Sequence, residues 1–229
     1  MIAAVLASVV LVDPPAAANS TPISPEPLGV VNVAGGVSTP TVLAWDSFQR
    51  ADAQLAGSTL PSGQTWRTTI ALNNWQLTGN QVRSSAASTI GYVVVQMNRQ
   101  DAVAEVVLSN LTSGANAGID INDDDTDNLM VLYTRSGTSS AVTLYKYISK
   151  YVQIGASVAV PGAPASVTLR VASVGAVISV WVDGILVMTN TLAGADLAVK
   201  YTNGDNTLFG LWSRNDVTTR FDNFHVDAP

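Results

Sequence analysis

Short apolar runs separated by turn residues fill the chain from Thr41 onward, and no stretch of that region has a convincing helical period. Runs of this length, bounded by Gly, Asn, Asp and Ser, are typical of β-strands. The pattern therefore predicts an all-β protein whose strands include Val42–Phe48, Trp66–Leu72, Trp75–Leu77, Gln81–Ser84, Ile90–Met97, Ala102–Asn110, Ala117–Ile121, Leu129–Thr134, Ala141–Ile148, Val152–Val160, Ala165–Ala172, Thr207–Ser213 and Thr219–Val226.

The sharpest local signal lies in residues 177–191, where two apolar strands flank the pair Asp183-Gly184. This pair favours a two-residue type I′ turn, because both of its residues tolerate a positive φ. The resulting hairpin register predicts one core-facing set, made of Ile178, Val180, Val182, Ile185 and Val187.

No repeat of 20 to 50 residues is present, which disfavours a propeller or a solenoid. A chain of 229 residues with many short strands instead predicts one large β-sandwich of the jelly-roll type.

The N-terminal 42 residues differ from the rest because six prolines interrupt them: Pro14, Pro15, Pro22, Pro25, Pro27 and Pro40. Residues 1–42 are therefore predicted to form an extended Pro/Val/Ala-rich assembly arm, and residues 43–229 the sandwich domain. The apolar stretch Met1–Val12 also resembles a short signal peptide. A signal peptide would carry a basic first region, whereas no Lys or Arg occurs before Arg50.

Charge and cysteine content exclude several functions. The formal net charge is −6, and the missing basic patch argues against nucleic acid as a partner. No segment has the length of a transmembrane helix, so we expect no membrane insertion. The chain has no Cys, which excludes disulfides and thiolate metal sites, and its single His225 leaves no room for a multi-histidine site.

An acidic stretch lies between Asp120 and Asp127 and contains five aspartates. The alternating carboxylates of Asp123, Asp125 and Asp127 are candidate ligands for Ca²⁺, a cation that prefers several oxygen ligands. The stretch lacks the glycine and the terminal Glu of an EF-hand loop. The alternative is a solvated hairpin turn in which Asp and Asn provide the turn geometry.

Aromatic residues on strands usually pack between sheets, but three of them are predicted to face outward. Trp181 alternates with the core-facing residues of its strand, while Tyr145 and Tyr147 share the face opposite Val142 and Leu144. These three side chains are the candidates for a glycan-stacking platform.

Several stretches resemble concanavalin A-like (laminin G-like) jelly-roll domains. They are residues 46–52 (DSFQRAD), residues 62–66 (SGQTW), residues 118–132, the Asp183-Gly184 hairpin, and the closing residues 209–212 (FGLW) with 220–224 (RFDNF). The resemblance covers residues 44–228 and implies a concanavalin A-like sandwich. Such domains occur in bacterial secreted proteins and in structural proteins of tailed phages.

Members of this group that hydrolyse glucans carry two Glu close together on one strand. This chain has only Glu26 and Glu105, so we expect no catalysis. The sequence favours a structural protein of a tailed-phage particle, either a minor tail or a capsid-decorating protein, located in the virion. We expect it to contact other virion chains through the arm, to form a homo-oligomer and to meet host-surface glycans. The alternative is a secreted bacterial glycan-binding module.

Overall fold

The computed structural model describes residues 40–68, 75–85, 90–201 and 206–229. Its strands are β1 (Val42–Asp46), β2 (Ala53–Gln54), β3 (Trp75–Thr78), β4 (Gln81–Ser84), β5 (Ile90–Gln96), β6 (Ala102–Ser109), β7 (Asn116–Asp123), β8 (Asp127–Ser136), β9 (Ser139–Ile148), β10 (Tyr151–Val160), β11 (Val167–Val174), β12 (Val177–Val182), β13 (Ile185–Thr191), β14 (Leu208–Arg214) and β15 (Arg220–Asp227). One helix, α1 (Gly194–Tyr201), precedes β14.

The strands form two antiparallel sheets. The nine-stranded sheet has the order β13-β12-β11-β6-β15-β4-β3-β2, with β1 also paired to β15. The six-stranded sheet has the order β10-β9-β8-β7-β14-β5. Strands that follow one another in the chain often lie in different sheets, as β5 and β6 do. Such crossovers are typical of a jelly roll. The prediction of an all-β concanavalin A-like sandwich is confirmed.

The core lies between the inner faces of the two sheets, where alternate residues of each strand are buried. In β8 and β9 the inward residues include Val131, Tyr133, Val142 and Leu144. In β14 they are Phe209 and Leu211, so the intervening residues of this strand must face outward.

Two sequence predictions about local structure are wrong. The first concerns Ile185, which the sequence predicts to face the core; Val187 of the same strand is half-buried and packs against the core as predicted. Asp183 and Gly184 do adopt positive φ, but the register of β12 and β13 shifts after Trp181 so that Val180 pairs with Met188. Met188 is therefore buried, while Ile185 is 69% exposed.

The second concerns the helix α1, which the apparent lack of a helical period did not predict. Its buried residues are Val199 and Lys200, and Lys200 Nζ donates to Asp101 at 2.7 Å and to the carbonyl oxygen of Gly175 at 2.8 Å. The helix is thus held by a tertiary ion pair as much as by apolar packing, which explains its weak periodic signal. Trp66 also lies outside the named strands, and the predicted strand Trp66–Leu72 runs from there into residues that are not described.

The predicted arm falls almost wholly on residues 1–39, which lie outside the described residues, and its contacts stay a prediction. Val42, the last residue of the predicted arm and the first of the predicted strand Val42–Phe48, begins β1 and pairs with Asp227. Within the described ranges, no helix has the length and apolar character needed to cross a membrane.

Candidate functional site

A second apolar cluster lies on the outer face of the six-stranded sheet, away from the main core. Its buried members are Tyr92, Met130, Leu132 and Trp212, and the partly buried Ile90, Tyr145, Tyr147 and Tyr151 pack against it. These residues come from β5, β8, β9, β10 and β14. An outer sheet face that carries so many aromatic side chains is unusual for a surface that meets only water.

The outer face is concave, as the contact between Tyr92 and Tyr151 demonstrates. Their hydroxyls are hydrogen-bonded, yet β5 and β10 are the two edge strands of the sheet. In a flat sheet, five strand spacings would separate the edges by roughly 24 Å, which two tyrosine side chains cannot span. The sheet must therefore curl so that its edges approach each other, and both rings lie 6.3 Å from the ring of Trp212.

Two adjoining cavities occupy this concave face, and together we call them the groove. The larger one, the acidic cavity, has a volume of about 340 Å³ and is lined by residues that include Tyr92, Asp123, Asp125, Asn128, Tyr147 and Tyr151. The smaller one, the arginine cavity, has a volume of about 90 Å³, and its lining includes Asn116, Leu132, Tyr145, Tyr151, Trp212 and Arg214. Tyr151 belongs to both cavities and lies between them.

Glycine keeps part of the groove floor free of side chains. Gly118 on β7 pairs with Trp212 on the outer face of the sheet. A Cβ atom at this position would lie 1.9 Å from the carbonyl oxygen of Val131, so only glycine fits between the two neighbouring strands.

A β-bulge places two carboxyl groups on the groove side of β7. Asp123 pairs with Leu208 and Ile121 with Phe209, which leaves Asn122 as the extra residue, and its φ is 52°. The Asn122 side chain turns inward, where it accepts from Ser173 Oγ at 2.6 Å and donates to the carbonyl oxygen of Gln100 at 2.7 Å. Asp123 consequently joins Asp120 on the outer face instead of alternating with it.

Asp120 and Asp123 form a carboxylic acid pair below the groove. Asp120 is fully buried, and its Oδ1 accepts from Asn128 Nδ2 at 2.8 Å. No N–H or hydroxyl group of the described residues reaches Oδ2 of either aspartate. The two carboxyl groups are near enough to influence each other's titration.

Burial controls the titration of this pair. Burial raises the pKa of Asp120 well above its usual range, and the nearby charge of Asp123 acts in the same direction. Burial likewise raises the pKa of Asp123 to about 6, although the backbone N–H of Asp125 partly opposes this shift. Both carboxyl groups therefore keep their protons to a higher pH than an exposed aspartate does.

In the turn between β7 and β8, two of the predicted calcium ligands, Asp123 and Asp125, make hydrogen bonds and an ion pair within the protein. Asp123 Oδ1 accepts from the Asp125 backbone N–H at 2.6 Å, and Asp125 Oδ2 pairs with Arg67 Nη2 at 2.9 Å. Asp124 Oδ1 accepts from the backbone N–H groups of Thr126 and Asp127. Among the described residues, which include all of 120–127, no three acidic or histidine side chains are placed to share a metal ion. Calcium binding by Asp123, Asp125 and Asp127 stays a prediction.

The predicted glycan platform is divided between the two sheets. Tyr145 and Tyr147 lie on the concave face, as their alternation with Val142 and Leu144 indicates. Trp181 belongs to β12 of the other sheet, where the guanidinium of Arg170 lies 5.8 Å from its ring centre. The three side chains therefore do not form one surface, because β9 and β12 belong to different sheets.

The sequence did not single out Tyr92, Tyr151, Trp212, Asp120 or Asn128 as site residues. Tyr92 and Trp212 do alternate with the core residues of β5 and β14, and this signal could have indicated their outward direction. Which of the outward faces is concave depends on the curvature of the sheet, and no local pattern encodes it.

Comparisons with known proteins agree on the fold. No protein-family model matches the sequence, and no curated protein matches it. The structure is similar to a carbohydrate-binding module (CBM66) from Bacillus subtilis, with a TM-score of 0.55 and 14% identity over 76% of this chain and 97% of that one. It is also similar to β-agarase A from Zobellia galactanivorans, with a TM-score of 0.57 and 12% identity over 83% and 92% of the two chains.

A third similar structure is the GH43 protein BlXynB from Bacillus licheniformis, with a TM-score of 0.57 and 13% identity. That match covers 81% of this chain but only 39% of the other. At these identities a likeness shows the fold alone. The chain thus has the jelly-roll sandwich fold that a carbohydrate-binding module, β-agarase A and part of a GH43 protein also have.

Proposed function

We propose that the protein is a glycan-binding module that holds its ligand in the groove on the concave face of the six-stranded sheet. The observation that carries this proposal is the convergence of Tyr92, Tyr145, Tyr147, Tyr151 and Trp212 on one concave surface. Sugar rings present apolar C–H faces that stack on aromatic rings, and hydroxyl groups that need hydrogen-bond partners. The polar residues Asp123, Asp125, Thr126 and Asn128 line the acidic cavity, where such partners are needed.

The fold likeness supports the same proposal, because a carbohydrate-binding module is among the similar structures. It also makes a secreted protein the better supported location. We choose agarose-, xylan- and mucin-type oligosaccharides as the first probes. Agarose and mucin follow from similar structures, which include β-agarase A in complex with oligoagarose and an endo-acting O-glycanase of mucin breakdown.

The arrangement of carboxyl groups around the groove fits a protein that binds a glycan without hydrolysing it. Glycoside hydrolysis ordinarily needs two carboxyl groups that flank the scissile bond. Asp120 is fully buried beneath the floor, and Asp125 is held by Arg67, which leaves Asp123 as the carboxylate directed to the acidic cavity. We expect no release of reducing ends from any glycan that binds. Turnover that Asp123→Asn abolishes would contradict this part of the proposal.

The proposal is tested by isothermal titration of the three probe classes against wild type, Tyr147→Ala and Trp181→Ala. Tyr147 is partly exposed in the groove, whereas Trp181 is a matched aromatic residue on the opposite sheet. We expect Tyr147→Ala to weaken binding by about tenfold, which corresponds to roughly 1.4 kcal/mol. Trp181→Ala should leave the affinity unchanged. The reverse result would move the binding site to the nine-stranded sheet.

A role in a tailed-phage particle remains a separate prediction that rests on residues 1–42. The prolines of this segment limit its internal hydrogen bonding, so its apolar residues need another chain to cover them. Expression of residues 40–229 alone tests it: the sandwich should fold, as circular dichroism would record, but should not join a phage particle or a homo-oligomer. Unchanged assembly would contradict the virion prediction and would leave the glycan proposal intact.

A further inference from the structure

The two cavities of the groove carry charges of opposite sign. Around the acidic cavity lie the carboxyl groups of Asp123 and Asp125, and Asp124 and Asp127 belong to the same turn. The cation that faces them is Arg67, and its Nη2 already pairs with Asp125 at 2.9 Å. The negative charge of Asp123 consequently has no cationic partner among the described residues.

The arginine cavity has the opposite character. The guanidinium of Arg214 is exposed and lies 5.9 Å from the ring centre of Tyr151. No carboxylate of the described residues forms an ion pair with it. The nearest acidic residue along the chain is Asp216, which is buried, and its oxygens accept from the backbone N–H groups of Asn116, Thr218 and Thr219. The five N–H donors of Arg214 are therefore available for a ligand.

Tyr92 and Tyr151 lie between the acidic cavity and the arginine cavity. Their hydrogen-bonded hydroxyls cross the concave face, and Tyr151 lines both cavities. A ligand long enough to occupy both cavities must pass this pair. One of its ends would then meet carboxylates and the other end a guanidinium.

We propose that the groove recognises its glycan by charge as well as by stacking, and accepts an anionic group only at the Arg214 end. This inference rests on the proposed glycan-binding function and specifies the ligand class. A uronate, sulfate or similar group at the acidic cavity would face an unpaired carboxylate of the same sign, which lowers the affinity. The same group at Arg214 would gain a forked, charge-assisted contact.

A pair of fluorescent tags tests the inference at pH 7.5. Disaccharides and trisaccharides of the agarose, xylan and mucin types are labelled at the reducing end with anthranilic acid, which is anionic, or with anthranilamide, which is neutral. The two tags differ in little except charge, and fluorescence polarisation gives the affinity of each. The free tags serve as blanks for binding of the label itself.

We expect the two tags to differ by about two- to fivefold, the range of an exposed ion pair. If the anthranilate binds more tightly, Arg214→Gln should remove the difference, while Arg99→Gln, a matched change outside both cavities, should not. If the anthranilate binds more weakly, the reducing end lies in the acidic cavity and Asp123→Asn should remove the difference.

Equal affinities of the two tags for every bound oligosaccharide would overturn the inference but not the proposed function. A difference that persists in both Arg214→Gln and Asp123→Asn would overturn it as well. If no oligosaccharide bound with either tag or without one, the proposed function itself would fail.

Discussion

The indole N–H of Trp66 donates to Asp46 Oδ2 at 2.8 Å, and this contact joins the first strand to a segment 20 residues later. The same carboxylate accepts from the Phe48 backbone N–H at 2.8 Å and from both Nη atoms of Arg50. The Trp66 ring packs between Phe48 and Phe224, with ring centres at 6.1 Å and 5.1 Å. The fully buried carboxylate of Asp46 therefore links Phe48, Arg50 and Trp66 by hydrogen bonds at one end of the core.

Replacing this carboxylate should destabilise the sandwich strongly. Asp46→Ala leaves four donor atoms without their acceptor, and we expect a loss of about 3 kcal/mol in the free energy of unfolding. Asp125→Asn is the matched control, because the Arg67–Asp125 pair is about half exposed and should contribute less than about 1 kcal/mol. Urea unfolding of both variants measures these values, and equal losses would contradict the central role of Asp46.

The contact between Tyr92 and Tyr151 predicts an energetic coupling between the two edges of one sheet. A double-mutant cycle of Tyr92→Phe and Tyr151→Phe should give a coupling energy of about 1 kcal/mol in unfolding experiments. Tyr133→Phe is the control, because its buried hydroxyl has no hydrogen-bond partner within the described part of the chain and its removal should be neutral or stabilising. A coupling energy near zero would contradict the closed concave face.

The Asp120–Asp123 pair predicts a pH-dependent effect of Asp123→Asn. The pKa of Asp123 is raised from 3.8 to about 6 by burial, so the folded state holds this proton more tightly than the unfolded state. The contribution of Asp123 to stability is complete below pH 3.8 and is lost as the pH rises through 6. The loss amounts to about 3 kcal/mol.

Asp123→Asn removes this titration, so the stability gained relative to wild type should be about 2 kcal/mol larger at pH 7 than at pH 4. Urea unfolding of both proteins at the two pH values gives the difference. A stability difference that is the same at pH 4 and pH 7 would show that Asp123 titrates normally and is not buried beside Asp120.

The strands and the fold could be predicted from the sequence because their signals are local. The alternation in residues 165–172 and the Asp183-Gly184 turn each lie within about fifteen residues, and β11 and the β12–β13 hairpin lie where these signals indicate. The inward residue of β13 opposite Val180 could not be predicted, since the register shift between Val180 and Trp181 places Met188 at that position.

The site was harder to predict because it depends on contacts between distant strands. Tyr145 and Tyr147 were recognised from their alternation in one strand. Tyr92 and Tyr151 meet only because the sheet curls, and Asp120 and Asp123 share a face only because Asn122 forms a bulge. Neither feature has a periodic signature, so the sequence did not indicate that the carboxyl groups of Asp120 and Asp123 lie together.

Calcium binding at Asp123, Asp125 and Asp127 is a prediction that calorimetry can test. Several carboxylates on one short turn repel one another, and a divalent cation would relieve this repulsion. Titration with CaCl₂ should release or absorb heat in wild type, and Asp125→Asn should weaken the binding. A flat titration would leave the turn interpretation, in which Asp124 accepts the backbone N–H groups of Thr126 and Asp127.

The indole N–H resonances of the five tryptophans test the central claim, that glycans bind on the concave face, most directly. Trp212 lies beneath the groove and its Nε1 has no hydrogen-bond partner among the described residues, whereas Trp181 lies on the opposite sheet. Addition of a bound oligosaccharide to ¹⁵N-labelled protein should shift the Trp212 resonance and leave that of Trp181 unchanged. A shift at Trp181 with none at Trp212 would contradict the account.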